Sequence, residues 1–282
     1  MRYSVIIPVY NRPDEVDELL QSLTQQSFKD FEVIVVEDGS SIPCKPVTEK
    51  YQELLDVHYY DKPNSGPGQT RNYGVERSKG EYLIILDSDC ILPEGYFLAV
   101  EEELQHEAAD AFGGPDRAHE SFTNIQKAIN YSMTSFFTTG GIRGGKKKMD
   151  KFYPRSFNMG VRQEVYQALG GFSRMRFGED IDFSIRIFKG GYTCRLFPGA
   201  WVYHKRRTDF RKFFKQVHNS GIARHQSVQE VSGIAEARPP AAGCIYPGSG
   251  HIPAGNALLP VQPAAHRSLC ASGMHGLHYP EP

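Results

Sequence analysis

The sequence predicts an α/β fold with a mostly parallel central sheet flanked by helices. Over residues 3–90, short β-branched runs alternate with helical patterns, as in consecutive βαβ units. Polar clusters follow three of these runs, and the carboxyl ends of parallel strands are where such sheets bind ligands. We therefore expect the three clusters to meet at one edge of the sheet.

The first half of the chain is expected to hold four strands and an amphipathic helix. The strands are predicted at Tyr3–Val9, Phe31–Glu37, Val57–Tyr60 and Glu81–Asp87. The helix is predicted at Pro13–Leu23, because a proline and two acidic residues open it and its apolar residues repeat at helical spacing.

The second half, from about residue 110, has shorter predicted elements. In order they are a strand at Asp110–Pro115, a helix at 121–137, a strand at Ser156–Val161, a short helix to Leu169, a helix from Glu179, strands at Tyr192–Phe197 and Ala200–His204, and a basic helix from Asp209 to about Val217. Glycines and lysines between Thr138 and Lys148 predict a mobile surface loop, either a plain linker or a lid over a bound anion.

A change of composition marks the C-terminal tail. Residues 226–282 contain eight prolines and seven glycines but no Lys, Asp or Phe, and they show no helical or strand period. We expect a folded domain at 1–223 and a Pro/Gly-rich tail at 224–282 that is largely disordered and is not the native continuation of the fold, as in a frameshifted reading. A tail as resistant to proteolysis as the domain would contradict this.

Composition and charge exclude several classes of protein. The net charge is −1 with 23% charged residues, which gives no basic excess for binding nucleic acid. The five cysteines are scattered without a CxxC pair, so neither a disulfide framework nor a zinc site is predicted and a reducing cytoplasm fits best. No apolar run approaches the roughly 20 residues that cross a bilayer, and the apolar start before Pro8 is too short for a signal peptide.

The main candidate site is the pair of carboxylates in Asp87-Ser88-Asp89, at the end of a predicted buried strand. An unpaired carboxylate is costly inside a protein, so the pair is expected at a strand end that faces solvent. There, oxygen ligands suit a hard cation such as Mg²⁺ or Mn²⁺, which commonly bridges to phosphate. A solvated pair of aspartates in a turn is the alternative.

Taken together, the motifs resemble those of the family 2 glycosyltransferases, inverting enzymes with the GT-A fold that use nucleotide-diphosphate sugars. The resemblance covers about residues 3–215, and it is specific because seven individually weak motifs stand in the same order. They are Ser4–Arg12, Val35–Ser41, Gly66–Gly74, Leu86–Asp89 (a DXD motif), Gly170–Phe172, Gly178–Asp180 and Trp201–His204. The resemblance implies a nucleotide-sugar-binding half at 1–110 and an acceptor half at 111–223 with a smaller antiparallel element.

The resemblance also implies a donor site. It assigns nucleotide-sugar binding to Pro8, Val9, Tyr10, Asn11, Arg12, Asp38, Arg71, Asp87, Ser88 and Asn158. In this assignment Asp38 accepts from a nucleobase N–H, Arg71 contacts phosphate or ribose, and Asp87 lies near the ribose. The alternatives are a turn cap for Asp38 and a surface salt bridge for Arg71. Glu37 stands where many relatives have a second Asp.

The implied catalytic residues follow later in the chain. Asp180 matches the base that takes the acceptor hydroxyl proton in an inverting displacement, and Glu179 orients the site or binds acceptor. Asp89 and His204 are the implied ligands of a Mn²⁺ or Mg²⁺ cofactor that neutralises charge on the leaving nucleoside diphosphate. Helix capping is the alternative for Asp180, and a structural role is the alternative for His204.

The expected partners are a nucleotide-diphosphate sugar, with UDP-sugars favoured, and a glycan or lipid-linked acceptor. Aromatic and basic residues alternate in the predicted last helix, so we expect a cytoplasmic protein with peripheral contact at the inner face of the membrane. Two other functions stay open. One is a nucleotide-sugar-binding domain without turnover, and the other is a nucleotidyltransferase, which would need a Gly-rich phosphate loop where Pro8–Asn11 stands.

Overall fold

The computed structural model of the protein describes residues 1–135, 152–175, 178–205, 208–218 and 221. In chain order the elements are β1 (Tyr3–Val9), α1 (Pro13–Thr24), β2 (Phe31–Asp38), α2 (Lys45–Glu49), β3 (Val57–Lys62), α3 (Pro67–Val75), β4 (Tyr82–Leu86), β5 (Cys90–Ile91), α4 (Tyr96–His106), β6 (Ala111–Gly113), β7 (Asp116–Arg117), α5 (Asn124–Thr134), β8 (Asn158–Arg162), α6 (Gln163–Ala168), α7 (Glu179–Lys189), β9 (Cys194–Leu196) and β10 (Val202–His204). Residues 210–218 form a further helix, α8. The predicted loop at 138–148 and the tail at 224–282 lie outside the described residues.

A seven-stranded sheet forms the centre of the fold, in the order β3-β2-β1-β4-β8-β6-β9. Strands β1 to β4 run parallel to one another, whereas β8 runs antiparallel to β4 and β6. In a smaller sheet, β10 pairs antiparallel with β5 and parallel with β7. The predicted α/β architecture is confirmed, and the four strands of the first half end within two residues of their predicted positions.

Both faces of the central strands are buried. On β2, Val33 packs into one core with α1, whereas Ile34 and Val36 pack into a second core with α3, α6 and α7. Because strand side chains alternate between faces, a strand covered on both sides has a continuous apolar sequence. Helix α3 lies very close to the sheet, since a Cβ on Gly74 would be 2.8 Å from Ile6 Cγ2. This packed layer holds the loops that follow β1, β2 and β4.

Several short elements were not predicted. Strands β5 and β7 have two residues each, which is too short for a periodic pattern to show. The helix predicted at 121–137 begins later, at α5, where Thr123 and Gln126 form a capping box. None of the described helices combines the length and the apolar character needed to cross a membrane.

Candidate functional site

The three polar clusters predicted to meet do lie together, around a cavity of about 1650 Å³ at the carboxyl ends of β1, β2 and β4. The first residues of α7 close the opposite wall of this cavity. Of the residues assigned to the site from the sequence, the cavity is lined by Pro8, Val9, Tyr10, Arg12, Asp38, Arg71, Asp87, Ser88, Asp89, Glu179 and Asp180. The prediction that these distant segments share one edge of the sheet is therefore confirmed by the structure.

Asp38, at the end of β2, shapes one wall of the cavity. Its two carboxylate oxygens accept hydrogen bonds from the backbone N–H groups of Ser65 and Gly66, each at 2.9 Å, and it forms an ion pair with Lys62. Gly66 has φ +88°, a conformation that glycine adopts without strain. Asp38 therefore holds the loop before α3 against the sheet, and its contact with a nucleobase stays a prediction.

Asn11 does not reach the cavity, in contrast to its assignment to the donor site. It adopts φ +54°, and its Oδ1 accepts hydrogen bonds from Ser41 Oγ at 3.1 Å and Ile42 N at 3.0 Å. Nearby, Glu37 accepts from Cys44 N at 2.7 Å. Asn11 thus joins the loops after β1 and β2, since asparagine tolerates left-handed backbone and bonds readily to neighbouring loops, whereas Glu37 holds the loop after β2.

Asn158 is also absent from the cavity wall. It is buried at the start of β8, where its Oδ1 accepts from Tyr96 Oη at 2.7 Å and its Nδ2 donates to Ala200 O at 2.8 Å. With both polar atoms bonded inside the protein, the side chain links α4 to the segment before β10. The structure therefore gives Asn158 a packing role in place of the predicted contact with sugar or acceptor.

Arg71 is buried between the two halves of the site. Its Nη2 donates to Asp87 Oδ1 at 2.7 Å, its Nη1 donates to Glu179 Oε1 at 2.9 Å, and its guanidinium lies over the Phe172 ring. Burial opposes the charge, but the carboxylates of Asp87 and Glu179 keep the pKa of Arg71 above its ordinary value. Arg71 therefore positions two carboxylates, and this pairing replaces the surface salt bridge considered from the sequence.

Replacing Arg71 with glutamine is expected to lower the free energy of unfolding by about 3–5 kcal/mol, because it leaves the buried carboxylate of Glu179 and the partly buried one of Asp87 without their cation. The matched control is Arg77→Gln, near the same helix, where the partly exposed ion pair with Glu76 at 3.5 Å is worth at most about 1 kcal/mol. Urea unfolding of both variants measures the difference. Equal losses in the two variants would contradict the bridging role of Arg71.

Asp89 lines the same cavity, and His204, which does not line it, lies against Asp89. The distance from Asp89 Oδ1 to His204 Nε2 is 3.2 Å, and Arg12 Nη1 lies 3.8 Å from Asp89 Oδ2. The pairing of β5 with β10 sets this contact, since His204 lies opposite Cys90 in register. The His204 ring stacks on Phe157 with 4.8 Å between ring centroids, which fixes its orientation. An imidazole nitrogen and a carboxylate oxygen thus lie next to each other, and the Cys90 thiol is also within 4.8 Å of both.

Asp116 is a residue of this region that sequence reasoning missed. It is buried on β7, next to β10, and its Oδ2 lies 3.9 Å from His204 Nδ1. Asp116 and Asp89 thus lie on the two nitrogen sides of the same imidazole ring. No motif in the sequence marks Asp116, because β7 is only two residues long.

Glu179 and Asp180 occupy the first turn of α7 and are both buried. Burial raises the pKa of Glu179, with Arg71 opposing this effect. Burial would also raise the pKa of Asp180, but Arg155 donates from its Nε to Asp180 Oδ2 at 2.5 Å and holds the pKa of that carboxyl below its ordinary value. Ile181 N donates to the other oxygen at 2.9 Å. Asp180 is therefore an ionised carboxylate in a fixed orientation, and Arg155 is a second residue that the sequence did not indicate.

Comparison with known proteins identifies the family of this chain. The family model described as Glycosyl transferase family 2 matches residues 4–170. The chain belongs to this family. An uncharacterized glycosyltransferase of Haemophilus influenzae is 30% identical over 193 residues, which cover 66% of this chain and 62% of that protein.

Solved structures show the same GT-A fold as this family 2 chain. TarS of Staphylococcus aureus in complex with UDP-GlcNAc superposes with a TM-score of 0.58 at 22% identity, over 74% of this chain and 60% of that one. A mannosyltransferase of Pyrobaculum calidifontis in complex with GDP-Man and Mn²⁺ gives a TM-score of 0.65 at 17% identity, over 81% and 64%. The chain thus spans less than two thirds of each of these relatives.

Proposed function

We propose that this family 2 chain is an inverting glycosyltransferase that moves a sugar from a nucleotide-diphosphate sugar to an acceptor hydroxyl. The observation that carries the proposal is the shared cavity, which is lined by both Asp89, itself paired with His204, and Asp180. A single displacement needs charge neutralisation at the leaving diphosphate and a base on the acceptor side. Arg71 bonds to both Asp87 and Glu179, so it holds the cation side of the site at a fixed position relative to the base side.

Asp89 and His204 are the proposed ligands of a divalent cation. Their ligand atoms lie 3.2 Å apart, close to the separation of about 3 Å expected for neighbouring ligands with bonds of about 2.1 Å. The mixture of a carboxylate oxygen and an imidazole nitrogen favours Mn²⁺ over Mg²⁺, which prefers oxygen ligands. When bound, the cation acts as a Lewis acid toward the diphosphate. Phe157, stacked on His204, keeps the imidazole oriented for this role.

Asp180 is the proposed base. Its carboxylate is ionised and held by Arg155 and by the backbone of Ile181, so it can accept a proton from an acceptor hydroxyl without first losing one. Glu179 accepts a hydrogen bond from Arg71, and we assign it to orienting the site or to binding the acceptor.

Replacing Arg155 with glutamine is expected to move the acid limb of the rate profile to higher pH. The guanidinium is what opposes the effect of burial on Asp180, so its loss raises the pKa of Asp180 and protonates the base at a higher pH. The measurement is the rate of nucleoside diphosphate release as a function of pH. The matched control is Arg162→Gln, in β8 and outside the cavity. An unchanged acid limb in Arg155→Gln would show that Asp180 is not the titrating group.

The donor is proposed to be a UDP-sugar, bound with its base beside the exposed Tyr10 ring. Thermal unfolding with UDP-, GDP- and dTDP-sugars, each with Mn²⁺, tests this, because a ligand that binds the folded state raises the unfolding midpoint. Slow cation-dependent release of nucleoside diphosphate would support transfer. Stabilisation without release would indicate a binding domain, and release of pyrophosphate in a reaction with a nucleoside triphosphate and a sugar phosphate would indicate nucleotidyl transfer.

Helix α8 supports a second part of the proposal, which is peripheral contact of the protein with the inner face of a membrane. The proposed acceptor at that surface is a glycan or a lipid-linked molecule. Phe210 and Phe214 are 60% and 72% exposed, and Val217 continues the same helical stripe. Beside them, Lys212 and Lys215 line the cavity. An apolar stripe flanked by basic side chains fits an anionic lipid surface, and this one would place the mouth of the cavity next to the lipid.

The double variant Phe210→Ser with Phe214→Ser is expected to weaken binding to phosphatidylglycerol vesicles by about tenfold or more, because it removes apolar surface that enters the lipid. Vesicle sedimentation measures the binding. The control is Tyr131→Ser, which changes an exposed aromatic residue on α5. Unchanged sedimentation of the double variant would reject the contact, as would equal loss in the control.

A further inference from the structure

A second group of candidate metal ligands lies at the end of the sheet opposite the cavity. Asp56 immediately precedes β3, and His58 follows two residues later on the same face of that strand. The backbone N–H of Val33 donates to Asp56 O at 2.8 Å, and Ile34 lies opposite His58, so Glu32 on β2 projects beside both side chains. Strand pairing thus brings two carboxylates and an imidazole together.

Glu32 is fully buried, and only one of its oxygens has a hydrogen-bond partner among the described residues. Oε1 accepts from Ser4 Oγ and from Lys79 N, both at 2.6 Å. Oε2 has no donor and faces His58 Nε2 at 3.7 Å, an atom that is itself buried without a hydrogen bond. No Lys or Arg in the described part of the chain forms an ion pair with Glu32. A buried carboxylate in this position lacks the cation that would offset its desolvation.

We infer that Glu32, Asp56 and His58 bind a divalent cation of the Zn²⁺ type. The distances from His58 Nε2 to Asp56 Oδ1 and Glu32 Oε2 are 3.1 and 3.7 Å, on either side of the separation of about 3.3 Å that tetrahedral ligands have around zinc. The three ligand atoms lie within 4.8 Å of one another. A divalent cation here would offset the charge of the buried Glu32 carboxylate, with the half-exposed Asp56 and His58 as its further ligands.

This site is separate from the catalytic cation proposed above. Glu32 and Asp38 lie at opposite ends of β2, six residues and about 20 Å apart. Because Glu32 also holds Ser4 and Lys79, a cation there ties the starts of β2 and β3 to β1 and to the loop before β4. Its role is therefore to stabilise the amino-terminal edge of the sheet.

The test compares the full chain with Glu32→Gln after dialysis against Zn²⁺. Six of the ten histidines lie from His218 onward, so total zinc content is not diagnostic and the difference between variants is the measurement. We expect Glu32→Gln to bind one zinc equivalent fewer and to lose the rise in unfolding midpoint that Zn²⁺ gives the wild type. Glutamine keeps an oxygen for Ser4 and Lys79 and removes only the charge. His106→Ala, at an exposed histidine on α4, should bind as much at this site as the wild type does.

Equal zinc content and equal stabilisation in the wild type and Glu32→Gln would overturn the inference. If Glu32→Gln does not fold, Asp56→Asn replaces it, since Asp56 is exposed and its loss leaves the core intact. Anomalous diffraction at the zinc edge should then give a peak between Glu32 and His58 in the wild type and none in Asp56→Asn. Absence of that peak in zinc-soaked wild-type crystals would also reject the site.

Discussion

Asp89→Ala is expected to abolish cation-dependent binding of UDP and to lower the rate of donor turnover by about 10³-fold or more. The variant removes the carboxylate that lies 3.2 Å from His204 Nε2, and a catalytic cation contributes several kcal/mol to stabilising the leaving diphosphate. Calorimetric titration with UDP in the presence and absence of Mn²⁺ measures the binding. We expect wild-type affinity to depend on Mn²⁺ and the affinity of the variant to be independent of it.

The matched control for this experiment is Asp61→Ala. Asp61 is an exposed aspartate on β3 and does not line the cavity, so its loss should leave both binding and turnover within about twofold of the wild type. Mn²⁺-dependent binding of UDP by Asp89→Ala at wild-type affinity would remove Asp89 from the cation site.

Asp180→Asn is expected to keep Mn²⁺-dependent UDP binding and to lose transfer by about 10²–10⁴-fold. Asparagine preserves the size of the side chain but cannot take a proton from the acceptor hydroxyl. The control is Asp182→Asn on the same helix, where the side chain is bonded to Arg186 at 3.0 Å and lies outside the cavity. Transfer by Asp180→Asn at a near-normal rate would show that another group is the base.

A separate measurement distinguishes loss of the base from loss of structure in Asp180→Asn. Asparagine has one acceptor oxygen where the carboxylate has two, so either Arg155 Nε or the Ile181 N–H loses its partner, and the unfolding midpoint should fall by only about 5 °C. A large drop in the midpoint together with the loss of UDP binding would point to misfolding. In that case Asp180→Glu, which restores a carboxylate, becomes the informative variant.

Local sequence accounts for the elements that carry the site. The apolar run before Asp87 and the run ending at Glu37 are buried strands, and both end where the sequence turns polar. The common location of these ends follows from a general rule, since parallel strands place their carboxyl ends at one edge of the sheet. The order of the family motifs then predicts which carboxylates matter, and the family itself is shown by the match over residues 4–170.

The partners of the site residues could not be read from the sequence in the same way. Arg155 reaches Asp180 across 25 positions, and Arg71 reaches Glu179 across 108. Asp116, behind His204, lies on a strand too short to show a pattern. For Asn158, the family resemblance implies a ligand contact, whereas hydrogen bonds to Tyr96 and Ala200 use both of its polar atoms.

The difference has one physical cause. Strand positions, polar strand ends and the left-handed turn glycine at Gly66 depend on interactions among near neighbours, and these are encoded locally. Which buried charge meets which partner depends on contacts between segments far apart in the chain, and only the closed fold creates them. The carboxylates of Asp87 and Asp89 were thus visible in the chain itself. Tertiary packing decided that Asp87 pairs with Arg71 and that Asp89 pairs with His204. A carboxylate that folding takes partly out of water must find a cation or a donor where the fold brings one.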